Sequence, residues 1–248
     1  MTDRLAAMLA VWNEEERREG VPPEDRSFMI ETETGARPWL LIHGGGGRPS
    51  DFRPFAEALA RAGHASLCPL LPAHARGDLA MGALRFEDLV GRAAQAWDVL
   101  AEDGPPPGLV GQSLGAVIGT RLAPTRPVPA FVGLAPAFRP LAGRRVGRML
   151  WLALRAPRLA RASWRWQVEA RRGIQGAREL LTELRCPLLV LASSDDPTVS
   201  PRGGEEMVER AGSADKEFVA LDGQGHVLSN APDLEAVVRP VREWMARI

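Results

Sequence analysis

The chain has 248 residues, of which 45% are apolar and 25% charged, and its 31 basic and 31 acidic side chains cancel to a formal net charge of zero. That balance excludes a disordered chain, which would combine low hydrophobicity with high net charge, and no basic footprint is present to grip nucleic acid. The length predicts one domain, or one domain carrying an insertion.

The apolar stretch Leu5 to Trp12 follows Asp3 and Arg4 and runs into Asn13-Glu14-Glu15-Glu16, without the small-residue cleavage site of a signal peptide. It predicts an amphipathic first helix. Strands are predicted over Phe28 to Thr34, Trp39 to His43, Ala65 to Leu70, Leu109 to Gln112, Ala130 to Ala135, Leu188 to Ala192 and Phe218 to Leu221. Between them lie helical segments: Ser50 to Ala62, opened by a capping-type serine and closed at Gly63; Phe86 to Ala101; and Leu234 to Ala246 after Pro232. Short buried strands alternating with helices predict an α/β chain with a mostly parallel sheet.

From Arg139 to Arg178 the alternation stops. A helical pattern around Val146, Met149, Leu150, Leu152, Leu154 and Leu159 carries eleven arginines, one acidic residue (Glu169) and the interleaved Trp151, Trp164 and Trp166. This segment is predicted to be an insertion. No run reaches the roughly 18 apolar residues of a membrane span. Cys68 and Cys186 form neither a disulfide framework nor a metal-type spacing, so a soluble protein of a reducing, cytoplasmic compartment is expected, with both thiols buried and structural on or next to strands.

The most specific chemical signal is Gly111-Gln112-Ser113-Leu114-Gly115, between a strand and a helix. A turn this tight needs glycine on both sides, and it leaves the serine hydroxyl exposed at the start of the helix. A hydroxyl attacks only when a base removes its proton, so a histidine and an orienting carboxylate are required downstream. Of four histidines, His43, His64 and His74 precede Ser113, leaving His226 in Asp222-Gly223-Gln224-Gly225-His226. Carboxylates at the carboxyl edge of a parallel strand face the crevice, and Asp195 and Asp196 both follow the strand ending at Ala192. The residues alone leave the choice between them open. Gly44 to Gly47 match neither dinucleotide nor P-loop spacing, there is no metal constellation, and the chemistry requires no cofactor.

Taken together, Leu40-Leu41-Ile42-His43-Gly44-Gly45, Leu70-Leu71-Pro72-Ala73-His74, the GQSLG elbow, Asp-Asp-Pro-Thr-Val and Gly225-His226-Val227 resemble the α/β-hydrolase superfamily, most closely bacterial carboxylesterases and monoacylglycerol lipases with a small helical cap. The resemblance spans most of the chain and implies the α/β-hydrolase fold. It favours Asp196 over Asp195, because Val199 and Pro201 stand three and five residues beyond it. It also implies an oxyanion hole from the N–H groups of Gly45 and Leu114, with Gly46 as the alternative donor, and gives His43 the role of steadying that loop. Ala73-His74-Ala75-Arg76-Gly77 departs from the family's Gly-His-Gly. The insertion, residues 139–178, stands where the family places its cap. Its arginines admit a solvated face, a grip on an acidic substrate group, or weak contact with an anionic membrane surface.

The expected function is a serine hydrolase of carboxylic esters, acting on a small ester or acyl substrate through Ser113, Asp196 and His226. Thioesterase, acyltransferase and C–C bond hydrolase activities use the same machinery, and a noncatalytic small-molecule receptor is the rival from another class.

Overall fold

A computed structural model of the chain describes residues 3–34, 36–102, 104–141 and 156–248. The helical pattern expected around Val146, Met149, Leu150, Leu152 and Leu154, with Trp151, lies outside the described residues. Among the described residues, β1 (Phe28–Ile30), β2 (Trp39–Ile42), β3 (Ser66–Cys68), β4 (Gly108–Gln112), β5 (Phe131–Leu134), β6 (Leu188–Ser193) and β7 (Lys216–Leu221) form one sheet in the order β1-β3-β2-β4-β5-β6-β7. Only the β1–β3 pair is antiparallel; the other neighbours run parallel. Strands β2, β4, β5 and β6 are buried along their whole length, as expected of parallel strands covered on both faces.

Each predicted strand is present, with shifted ends. The first stops at Ile30 rather than Thr34 because it pairs over three residues only; beyond them the Thr32 and Thr34 hydroxyls donate to Gly63 O instead of extending the ladder. The last begins at Lys216, two residues early: it is an edge strand whose exposed Lys216 and Glu217 still pair with Leu188 and Leu189.

Helix α1 (Asp3–Arg18) buries Leu5, Leu9, Trp12 and Glu16, alternating four- and three-residue steps that place them on one face. The predicted helix at Ser50 is corrected. Residues Pro49–Phe52 form a 3₁₀ turn, and α2 (Arg53–Arg61) starts after it. Ser50 caps nothing: its hydroxyl donates to Asp25 Oδ1 at 2.6 Å. Helices α3 (Asp78–Met81), α4 (Phe86–Glu102), α5 (Leu114–Leu122), α6 (Pro157–Glu179), α7 (Arg202–Arg210) and α8 (Leu234–Met245) complete the layers. Asp233 caps α8, accepting from Ala236 N at 3.2 Å. No described helix is long and apolar enough to cross a membrane.

Candidate active site

The parallel register brings the carboxyl ends of β2, β4, β6 and β7 to one edge of the sheet, and each end carries one of the expected groups. At the end of β4 the chain reverses into α5 through Ser113, whose φ of 55° and ψ of −113° are strained for a residue with a Cβ. Three main-chain hydrogen bonds hold it there: Ser113 N donates to Leu134 O at 2.7 Å, and Ser113 O accepts from Ala116 N and Ala137 N at 3.1 and 3.2 Å. The flanking glycines are steric requirements. A Cβ on Gly111 would stand 2.5 Å from Ala116 N, and one on Gly115 would overlap the Ile42 carbonyl oxygen.

Ser113 is 8% exposed, and its Oγ lies 3.0 Å from His226 Nε2. The other ring nitrogen, Nδ1, lies 2.6 Å from Asp196 Oδ2. Asp196 is buried, and its second oxygen accepts from the main-chain N–H groups of Thr198 and Val199 at 2.7 and 3.0 Å. Those two donors fix the carboxylate so that Oδ2 points at the imidazole. The proton on Nδ1 faces this acceptor, leaving Nε2 with a free lone pair toward the serine hydroxyl.

Asp195, adjacent in sequence, turns away from the ring. Its Oδ1 accepts from Ser193 Oγ at 2.5 Å and from Gly225 N at 3.2 Å, and Ser193 Oγ accepts from Gln224 N at 3.1 Å. The Ser193 hydrogen bond, followed by that from Gly225 N–H, holds the Asp195 carboxyl below its ordinary range. Asp195 and Ser193 thus pin the loop that carries His226. Gln112 holds the other side of the same loop, donating to His226 O at 2.8 Å and accepting from Ser229 N at 3.3 Å. In the sequence Gln112 was only a variable position of the elbow motif, and Ser193 a strand end.

The loop after β2 lies against the elbow. A Cβ on Gly44 would stand 3.2 Å from Ser113 Cβ, and one on Gly45 3.1 Å from Leu114 Cδ2, whereas a Cβ on Gly46 would meet nothing within 4 Å. Gly45, rather than Gly46, is the glycine packed beside Leu114. His43 is 1% exposed and braces this loop from behind: Leu71 N–H donates to its Nε2 at 3.0 Å, and its Nδ1–H donates to Gly44 O at 3.0 Å. Burial, with the adjacent His74 adding to it, holds the His43 imidazole well below its ordinary range and therefore neutral. His74 stacks edge-on against His43 with centroids 4.7 Å apart. The alanines flanking His74, where the family has glycine, have φ values of 62° and 64°. They keep the glycine-type backbone at a steric cost of about 1 kcal/mol each.

Both cysteines are free. Burial pushes the Cys186 thiol up to about 11 and the Cys68 thiol well above its ordinary range, so neither is a nucleophile near neutral pH. Cys186 is half-buried rather than fully enclosed. Among the described residues no group of three or more His, Cys, Asp or Glu side chains is placed to hold a metal ion. A cavity of about 330 Å³ lies between α1 and residues 70–84, lined by residues that include Leu71, His74 and Arg92 but neither Ser113 nor His226.

The described parts of the 139–178 segment meet the domain at defined points. Leu141 N donates to Thr198 O and Ser200 N to Arg139 O, both at 2.9 Å, tying its start to the loop after Asp196. Glu206 accepts from Arg139 Nε at 2.9 Å and from Arg178 Nη2 at 3.3 Å, so both ends of the segment meet on one carboxylate of α7. Partial burial works against its charged form, but the Arg139 hydrogen bond and the Arg178 charge outweigh this and hold the Glu206 carboxyl below its ordinary range. Helix α6 packs so closely on its neighbours that a Cβ on Gly173 would overlap the Phe86 ring. Glu169, the single acid of the segment, accepts from Phe86 N at 3.3 Å at the start of α4. Its outer face exposes Arg158, Arg161, Trp164, Arg165, Arg171 and Arg172.

Sheet order, a strained serine between β4 and α5, and acid and histidine after later strands define the α/β-hydrolase class. The chain belongs to the alpha/beta hydrolase family, whose sequence model matches residues 39–239. It is 24% identical to a thermostable monoacylglycerol lipase of Bacillus sp. (strain H-257) over 227 residues, covering 84% of this chain and 90% of the lipase. Among solved structures it resembles one from a study of the metagenome-derived lipolytic enzymes LipS and LipT, with a TM-score of 0.77 and 20% identity, covering 91% of this chain and 99% of the other. It also resembles the Paleococcus ferrophilus monoacylglycerol lipase, with a TM-score of 0.68 and 20% identity over 89% of this chain and 98% of that one.

Proposed function

We propose that the chain is a serine hydrolase of carboxylic esters, carried by one observation: the continuous line Ser113 Oγ, His226 and Asp196 with contacts of 3.0 and 2.6 Å. His226 Nε2 takes the hydroxyl proton as Ser113 Oγ bonds to the ester carbonyl carbon, and the carbonyl oxygen becomes an oxyanion beside the Gly45 and Leu114 N–H groups. The imidazolium, steadied by Asp196, passes its proton to the departing alkoxide, which leaves as the alcohol with an acyl group on Ser113. Water, deprotonated by the same imidazole, attacks the acyl carbon, and the acid departs as the proton returns to Ser113.

Similarity to lipases and esterases supports an ester as the bond cleaved, and similarity to monoacylglycerol lipases supports a substrate with one acyl chain. The insertion expected at residues 139–178 is read as the family's cap, with its described ends, Arg139 and Arg178, fastened on Glu206. The exposed arginines and Trp164 of α6 support a second role for the cap, weak contact with an anionic lipid surface.

The test is hydrolysis of p-nitrophenyl esters from short to long acyl chains, with fluorophosphonate labelling alongside. Ser113→Ala should abolish both turnover and labelling, and Asp196→Asn should lower kcat by about 10³ to 10⁴-fold. A folded parent protein that neither turned over an ester nor took the label would refute the reading and leave the receptor alternative standing.

A further inference from the structure

His226 is carried by a turn in which Gly223 and Gly225 stand at φ values of 71° and 64°, a region in which glycine alone is unstrained, and Ser193 and Asp195 pin only the residues before the histidine, through Gln224 N and Gly225 N. The turn nonetheless presents the ring to Ser113 Oγ at hydrogen-bonding distance. The contact that spans from the elbow itself is made by Gln112, the residue immediately before the serine and 3% exposed. Its amide is used at both ends, with Nε2 donating to His226 O and Oε1 accepting from Ser229 N. Exchanging the two ends would set N–H against N–H and oxygen against oxygen, so the amide has one orientation. Two successive residues of β4 and its turn therefore grip His226 at two points, Gln112 at the main chain and Ser113 at the side chain.

We propose that Gln112 is a positioning residue, whose side chain fixes the height of His226 over Ser113 Oγ by clamping the His226–Ser229 turn to the end of β4. The inference rests on the serine-hydrolase reading. Proton transfer needs the two atoms within hydrogen-bond reach at the moment of attack, and a displacement of 1 Å in such an arrangement costs on the order of 100-fold in rate. A clamp on the residue next to the nucleophile sets that distance more directly than one on a distant element, because the strand end carrying both is held by its neighbours on two sides.

Gln112→Met keeps the volume and removes both hydrogen bonds. Gln112→Glu keeps the acceptor for Ser229 N–H and turns a carboxylate oxygen toward the His226 carbonyl, so it isolates the donor. Both are compared with the parent for thermal unfolding, for kcat and KM on a p-nitrophenyl ester, and for the rate of phosphonylation by a fluorophosphonate, which reports activation of Ser113 apart from ester binding. The expected result is folded protein with kcat and phosphonylation both lowered about 10 to 100-fold and KM within about twofold of the parent. Folded variants whose kcat stays within about threefold of the parent, or whose loss lies in KM with unchanged phosphonylation, overturn the proposal while leaving the serine-hydrolase reading intact. Failure of both variants to fold assigns Gln112 to stability alone and overturns it too. A parent that is neither active nor labelled sinks the underlying reading, and the clamp with it.

Discussion

Asp195 and Asp196 are chemically identical neighbours, and the structure gives them different partners. Asp196 Oδ2 faces the ring of His226, while Asp195 Oδ1 faces Ser193 Oγ and Gly225 N. Removing the negative charge should therefore separate them. Asp195→Asn retains an oxygen that can accept from Gly225 N–H, so kcat should stay within about fivefold of the parent, whereas an uncharged residue at 196 no longer supports the imidazolium and costs about 10³ to 10⁴-fold. Steady-state kinetics of the two variants side by side decides it, and equal losses would place the orienting charge on the pair rather than on Asp196. The residue types of this site and their chain order were legible in the sequence. The choice between the aspartates was legible only through the family resemblance carried by Val199 and Pro201, because the direction of a side chain in a turn depends on backbone angles that its neighbours in sequence do not fix.

Among the elements, the elbow is where backbone geometry and packing are least forgiving. Helix α5 approaches β2 so closely that only hydrogen fits at residue 115, against the Ile42 carbonyl. Gly115→Ala should cost about 3 kcal/mol or more, since neither neighbour is a flexible side chain that can move aside. Gly91 is the contrasting case: it lies in the middle of α4, exposed, and a Cβ there would meet nothing within 4 Å. Gly91→Ala should add about 0.5 to 1 kcal/mol by helix propensity, raising Tm by roughly 1 to 4 °C. Thermal unfolding of both variants distinguishes a glycine required by space from one that is not; a stable Gly115→Ala would contradict the close approach. The elbow was readable because glycine on both sides of a serine is a local steric signature. The helix at Ser50 was misread because a capping-type residue carries no record of a distant partner, here Asp25.

Across the whole molecule, buried imidazoles set an acid limit on stability. Burial holds His43 well below its ordinary value of 6.5, and burial also lowers His74 and His64. Below that value the unfolded chain binds protons that the folded protein refuses, so stability is lost as pH falls from about 7, by up to about 1.4 kcal/mol per pH unit for each imidazole that stays neutral. Glu16 acts in the opposite sense, because burial raises its carboxyl and the folded state takes up that proton first. The net expectation is a loss of about 1 to 2 kcal/mol between pH 7.5 and 5.5, read from urea midpoints at constant ionic strength. Stability unchanged over that interval would mean that the fold tolerates a charged His43. The lowered carboxyl of Glu206 adds a further loss only at more acidic pH, below the ordinary carboxylate value of 4.5.

The sequence by itself determined what neighbours along the chain determine: apolar runs of strand length, helical spacing of buried residues, and glycines where a turn allows nothing else. These depend on local sterics and on which side chains water excludes. Tertiary structure alone decided the contacts that no spacing records: the 3.0 Å approach of His226 to Ser113, Gln112 on the main chain of His226, and Arg139 with Arg178 on Glu206. The direction of a side chain beyond a strand end, and the partner it meets, follow from how the strands register and how the layers pack. Those are long-range terms of the folded molecule, carried by no single stretch of the chain.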